Sequence, residues 1–309
     1  MKLLSATEIR GNWATLLLPI QADDRIDYGR LEAEIDYLIA ARVDGIYSNG
    51  SAGEFYTQTE AEFDRVNQTL AERCERAGMP FQIGASHTSS QMALERVKRA
   101  ATFQPSAIQV ILPDWFPPSN EEALEALSRY AEAAGGIGLV LYNPPHAKRV
   151  LAVQDFLDFQ AALPTLVGIK VADGDDDWYT AMKPVAEKLS VFVPGHHLAT
   201  GFKHSVGTGA YSNVACLSPK GAQRWWAQMR TDLAGALELE SRIRRFMAAH
   251  ILPFKPRHQN VALDKLLATV GAWGEIGTKV RWPYRSVDEA EVPRLRRVAK
   301  AELPELMLT

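Results

Sequence analysis

Short apolar runs alternate with longer amphipathic stretches along most of this chain. The runs cover 13–18, 45–48, 81–85, 107–112, 138–142, 166–172, 191–193 and, more weakly, 209–214. Each is short, largely aliphatic or β-branched, and bounded by Pro, Gly, Asn or Asp, which predicts buried parallel strands. Between them apolar residues return at helical spacing, as in Leu31, Ile35, Leu38 and Ile39, then Phe63, Val66 and Leu70, then Leu94 and Val97. Ser119 followed by Glu121 and Glu122 is a capping hydroxyl with carboxylates in the first turn. Eight strands alternating with helices at roughly 25–30 residues per unit are the signature of a (β/α)8 barrel. A doubly wound open sheet would show the same alternation, but no GxGxxG follows the first run, so a dinucleotide-binding sheet has no support.

Beyond about residue 216 the strand-like runs stop. The stretch 219–250 reads as helical, with Trp225, Trp226, Met229, Leu237, Ile243 and Phe246, until Pro253 and Pro256 break it. A helix around 260–270, a loop with Trp273, Trp282 and Pro283, and a last helix near 288–302 follow. This tail has too few apolar positions for a core of its own. The expected organisation is a barrel over 1–216 carrying the active site, and a helical extension over 217–309 packed on it.

Composition adds exclusions. A net charge of −3 gives no basic field to attract nucleic acid or an anionic membrane. Cys74 and Cys216 lie far apart and form no CxxC pair, so a reducing, cytoplasmic setting is expected. The N-terminal MKLLSATEIRGN loses its apolar character at once and does not read as a signal peptide. No apolar stretch approaches the ~20 residues that span a bilayer.

Chemistry enters with the sixth run, Leu166-Val167-Gly168-Ile169-Lys170-Val171-Ala172. A lysine at the carboxyl end of a buried strand either snorkels to water or sits in a dry pocket. In the pocket its charged form is disfavoured, and a partly neutral amine attacks carbonyls to form a Schiff base. Other unusual residues follow other strands: Gly50-Ser51-Ala52-Gly53-Glu54, Trp115, and Tyr142-Asn143-Pro144-Pro145. In a barrel these strand ends share one face, where active sites are built.

This set, in this order, resembles the dihydrodipicolinate synthase / N-acetylneuraminate lyase family of class I, pyruvate-dependent aldolases. That family carries a GTTGE or GSTGE loop, a YN-x-P tyrosine and a GIK lysine. The resemblance runs from about Gly11 to about Trp226. It implies that Lys170 forms an imine with pyruvate or another 2-oxo acid, that Tyr142 shuttles protons, and that Ser51 supplies a relay hydroxyl. Backbone N–H groups of Ser51 and Ala52, in a turn flanked by Gly50 and Gly53, would bind the substrate carboxylate. Family likeness also implies a homotetramer built as a dimer of dimers, with the loop at Trp115 and Phe116 as a buried contact.

Several positions depart from the family pattern. Ala52 stands where a second hydroxyl is usual, a loss of about 1 kcal/mol of hydrogen bonding. Trp115 replaces the tyrosine that synthases send across a subunit interface, and an indole cannot shuttle a proton as a phenol does. Ala147, flanked by Lys148 and Arg149, stands where synthases bind an aldehyde carboxylate with arginine. His196-His197-Leu198 replaces the Asp-Glu with which sialic-acid lyases hold sugar hydroxyls. His196, His197 and Asn213 are therefore expected to bind substrate, together with Gly53 and Trp115, with His146 and Lys148 at the rim. Adjacent histidines also suit a metal, but His87 and Glu54 are their only evident companions, and a catalytic zinc usually takes three defined ligands. No metal or organic cofactor is expected.

The expected activity is thus a Schiff-base lyase, synthase or dehydratase joining or splitting a 2-oxo acid and an aldehyde or sugar acid. Dihydrodipicolinate synthase proper is one alternative. A non-catalytic barrel that binds a 2-oxo acid is another, motivated by Ala52 and Trp115.

Overall fold

The structure, a computed structural model, describes residues 1–308. Eight parallel strands close into a barrel: β1 (Gly11–Thr15), β2 (Gly45–Ser48), β3 (Phe81–Gly84), β4 (Ala107–Val110), β5 (Leu139–Asn143), β6 (Leu166–Val171), β7 (Ser190–Phe192) and β8 (Gly207–Tyr211). Their order round the barrel is their order in sequence, and β8 returns to pair with β1. The (β/α)8 architecture is as expected.

Two strands, β1 and β8, depart furthest from the apolar runs. β1 ends at Thr15, because the Leu17 N–H leaves the ladder to donate to the buried Glu34 carboxyl at 2.8 Å. Burial pushes that carboxyl well above its usual pKa. β8 ends at Tyr211, because the Ser212 hydroxyl accepts from Ala215 N and starts the helix Asn213–Leu217. An apolar run shows that a segment is buried; a capping hydroxyl decides where its backbone turns.

Alternation along the strands sends Trp13, Tyr47, Val140 and Phe192 into the barrel interior, where they form a core separate from the shell between strands and helices. Tyr211 stacks on Phe192 at 4.4 Å between ring centroids and donates to Gln82 Oε1 at 2.8 Å. The same alternation turns Gly168 and then Lys170 inward on β6, with Tyr142 of β5 as the direct neighbour of Lys170.

The helix Pro219–Thr231 packs against β1 and closes the ring of helices, so the barrel's last helix lies beyond residue 216. Asp232 breaks the long helical stretch by accepting from Gly235 N and capping the helix Leu233–Phe246. A π-helical turn, Met247–Ile251, follows, then the helix Asn260–Gly271, which crosses back over the barrel against Asn213–Leu217. None of the described helices is long and apolar enough to cross a membrane.

Candidate active site

A cavity of about 410 Å³ opens at the carboxyl ends of the strands, with Lys170 in its wall. Three rings surround the amine. Lys170 Nζ lies 4.2 Å from the ring centre of Tyr142, 5.2 Å from Tyr211 and 5.6 Å from Tyr47. Such faces attract a cation, but they hydrate it far less well than water does. Burial brings the amine down to about 8, against the pull of a negative Asp264 and of Cys216. A usable fraction of Lys170 is then an unprotonated nucleophile near neutral pH.

Ser51 and Tyr142 meet at the same cavity. Burial raises the Tyr142 phenol, and the Ser51 hydroxyl beside it partly offsets that rise. Asn143 pins the loop that follows: its Oδ1 accepts from Leu151 N at 2.8 Å and its Nδ2 donates to Arg149 O at 2.9 Å. The loop after β2 is tightly folded. A Cβ on Gly53 would lie 3.0 Å from Asn49 N and 3.1 Å from Leu16 O, so Gly53 lets the loop close rather than lining the cavity. Ala52 does line it. Among the described residues the backbone N–H groups of Ser51 and Ala52 have no hydrogen-bond partner, which leaves them free for an anion.

The two histidines have different fates. His196 lines the cavity, and its Nδ1 lies 2.8 Å from Asn213 Nδ2, which donates to it and places the ring proton on Nε2. Burial holds this imidazole down at about 4, so it is neutral. Gly195 permits the contact, because a Cβ there would fall 2.6 Å from Asn213 Oδ1. His197 instead donates through Nδ1 to Asp173 at 2.8 Å, and Tyr179 donates to the same carboxylate at 2.7 Å. His197 does not line the cavity, but its ring packs edge-on against His196 at 4.3 Å.

Other expected residues lie apart. Trp115 is 77% exposed and does not line the cavity, and Phe116 beside it is 75% exposed. His146 and Lys148 are exposed on the loop after β5; His146 lines a smaller pocket that shares Ser51 and Tyr142 with the Lys170 cavity, and Lys148 does not line that cavity. Arg149 is committed elsewhere, donating to Pro118 O at 2.9 Å, to Asn120, and to Asp155 at 2.8 Å. Glu54 is a strut: its carboxylate pairs with the buried Lys265 and accepts from Arg281 N at 2.8 Å. Among the described residues no cluster of three or more His, Cys, Asp or Glu is placed to hold a metal.

Sequence reasoning missed the far wall. Helix Asn260–Gly271 contributes Asp264, and the π turn contributes Met247 and Ile251. Asp264 lies in an ordinary amphipathic sequence, Val-Ala-Leu-Asp-Lys-Leu-Leu, with nothing to mark it. Tyr47 and Tyr211 read only as strand aromatics.

A depressed lysine amine at the end of β6, a tyrosine on the adjoining strand and a free N–H turn define a (β/α)8 enzyme of the class I aldolase type. The profile of the dihydrodipicolinate synthetase family matches residues 8–302, and the chain belongs to that family, and with it to the lyases. Among curated relatives, 4-hydroxy-tetrahydrodipicolinate synthase of Neisseria gonorrhoeae is 27% identical over 95% of this chain and 98% of that enzyme. N-acetylneuraminate lyase of Escherichia coli is also 27% identical, but the match spans 55% of this chain and 57% of the lyase. In structure, the E. coli K12 prophage protein YagE, solved in complex with pyruvate, superposes with a TM-score of 0.83 at 21% identity, covering 95% of this chain and 98% of YagE. The sialic acid aldolase of Ruminococcus gnavus gives 0.83 at 17% identity over 97% and 99%.

Proposed function

We propose that this protein is a Schiff-base lyase or synthase that acts on pyruvate or another 2-oxo acid through Lys170. The observation that carries the reading is the amine of Lys170, caged by three tyrosine rings at the cavity and lowered to about 8 by burial. The amine attacks the C2 ketone, and loss of water gives a protonated imine. That imine draws electrons from C3, so a proton or a carbon fragment leaves as the enamine forms. Tyr142 and Ser51 carry protons as the carbinolamine forms and collapses, while the Ser51 and Ala52 N–H groups hold the carboxylate. The lysine supplies the electron sink, so the reading invokes no metal or organic cofactor.

For the second substrate we favour a hydroxylated aldehyde or sugar acid. His196, with its proton on Nε2, and Asn213 offer neutral donors and acceptors to hydroxyl groups. The full-length match to the Neisseria enzyme favours dihydrodipicolinate synthase proper as the second reading. Against it, Arg149 is engaged by Asp155 and Pro118 and does not line the cavity, so it is not free there for an aldehyde carboxylate. We also propose a cytoplasmic homotetramer in which the exposed Trp115 and Phe116 side chains are covered at a contact between copies.

Borohydride trapping with pyruvate, followed by peptide mapping, tests the reading. The expected result is an irreversible adduct on the peptide carrying Lys170. No adduct on folded protein, with Lys170→Ala binding pyruvate as tightly as the parent, would leave only a non-catalytic 2-oxo-acid-binding barrel.

A further inference from the structure

Asp264 is the one carboxylate in the wall of the Lys170 cavity, and among the described residues it has no hydrogen-bond or ion-pair partner. This is unusual. Its neighbour in sequence, Lys265, is fully engaged by Glu54 and by Lys279 O at 2.7 Å, which fixes the helix Asn260–Gly271 across the barrel mouth. The helix is anchored through Lys265, and Asp264 is left free to face the cavity.

The family's hydroxyl relay is also short of members here. Ala52 carries no hydroxyl, and Trp115 lies exposed outside the cavity. Of the other two phenols around Lys170, Tyr211 is committed to Gln82 Oε1 and Tyr47 is fully buried, while Tyr142 has Ser51 beside it. Its own ionisation is made harder by burial and by the negative Asp264. A reaction through an enamine needs a base for C3 of the bound 2-oxo acid, and a carboxylate without partners is better suited than a phenol pushed upward.

We propose that Asp264 is a catalytic acid–base residue that takes the C3 proton of the Lys170-bound 2-oxo acid and returns it. In the forward step the C3–H bond breaks and its electron pair becomes the C2–C3 double bond of the enamine. The C2–N π pair moves onto nitrogen, and the proton passes to the Asp264 carboxylate. In the reverse step the protonated acid gives the proton back to C3 and the imine is restored. No oxidant, reductant or second substrate is consumed. The inference rests on the Schiff-base reading of Lys170.

The electrostatics agree with this role. Burial raises the Asp264 carboxyl to about 7, and Lys170 opposes that rise. The groups whose ionisation feels Asp264 are Lys170 from β6, Tyr142 from β5, Cys216 from the helix Asn213–Leu217 and Tyr56 from the loop after β2. Lys255 also lines the cavity, on the extension itself. Among the groups that feel Asp264, Lys170 is brought to about 8, while burial pushes the phenols and the thiol upward. Asp264 becomes a better-populated base as pH rises through about 7.

The test needs pyruvate alone. Exchange of its methyl protons for deuterium, followed by NMR in D2O, reports enamine formation, whereas borohydride trapping reports the imine. In the parent protein both proceed. In Asp264→Asn, trapping is retained, and it reaches to lower pH because the negative charge that favoured the Lys170 ammonium is gone. Exchange in that variant falls by about 10²–10⁴-fold, the usual weight of a general base, and Asp264→Glu recovers part of it. Exchange in Asp264→Asn at the parent rate, or a parent that traps pyruvate without exchanging it, would overturn the role of Asp264 and leave the imine standing. Absence of trapping in the parent would instead remove the Schiff-base reading, and this inference with it.

Discussion

Lys170 and Lys265 are both lysines taken largely out of water, one at the end of β6 and the other at the seam between the barrel and its extension. Desolvation lowers the pKa of both. What differs is the company each keeps. Lys265 has Glu54 and the Lys279 carbonyl, so its charge is answered and fixed. Lys170 has ring faces and an Asp264 that forms no ion pair with it. A buried cation with a full set of partners is a strut, whereas one with incomplete partners has a neutral form close at hand. The same contrast separates the adjacent residues Asp264 and Lys265: a single turn of helix presents one group to the cavity and the other to the seam.

The largest effects should separate the two lysines outright. Lys170→Ala is expected to abolish the pyruvate adduct while the protein still unfolds cooperatively in urea. Lys265→Met is expected to leave Glu54 buried without its countercharge and to cost about 3–5 kcal/mol of stability, read from the same urea transition. The double variant Glu54→Gln with Lys265→Met should recover much of that loss. If Lys265→Met were as stable as the parent, the seam would not depend on the pair, and the contrast between the lysines would fail.

A smaller effect has the opposite sign. Lys170 carries a folded pKa of about 8, below the ~10.4 of a lysine in an unfolded chain. The charged form is thus disfavoured by folding. The resulting penalty is absent above the unfolded value, grows as pH falls toward about 8, and stays constant below it. Lys170→Met should therefore raise the melting temperature at pH 7 and do so less at pH 10.5. A lower melting temperature at pH 7 would mean that the cage of Tyr47, Tyr142 and Tyr211 stabilises the ammonium, and that Lys170 resembles Lys265 after all.

The sequence reveals these two regions unequally. The barrel is legible because each strand is an apolar run between breakers, and Lys170 stands out as the one cation inside such a run. Ser51 and Tyr142 are legible through the order of motifs. The far wall is not. Whether Asp264 or Lys265 faces the cavity depends on how the helix Asn260–Gly271 docks, and that is fixed by Glu54 and Arg281, more than 200 positions apart in the chain. No local pattern encodes such a choice. Glu54 shows the converse error: it belongs to a loop that reads as chemistry, yet its carboxylate holds the extension down.

The smallest effect concerns the loop that Glu54 anchors. Ala52 lines the cavity where the family pattern has a second hydroxyl, and its N–H and that of Ser51 are free to meet a carboxylate. Ala52→Thr adds one hydroxyl without disturbing those N–H groups or the close packing at Gly53. One added hydrogen bond is worth about 1 kcal/mol, so the pyruvate concentration giving half-maximal trapping should fall about fivefold. The maximal rate of trapping should stay nearly constant, because the amine of Lys170 is untouched. A change confined to the maximal rate would place residue 52 in the proton relay with Ser51 and Tyr142. An unchanged profile would place the carboxylate away from the loop, so that the strut at Glu54 would be the loop's main task.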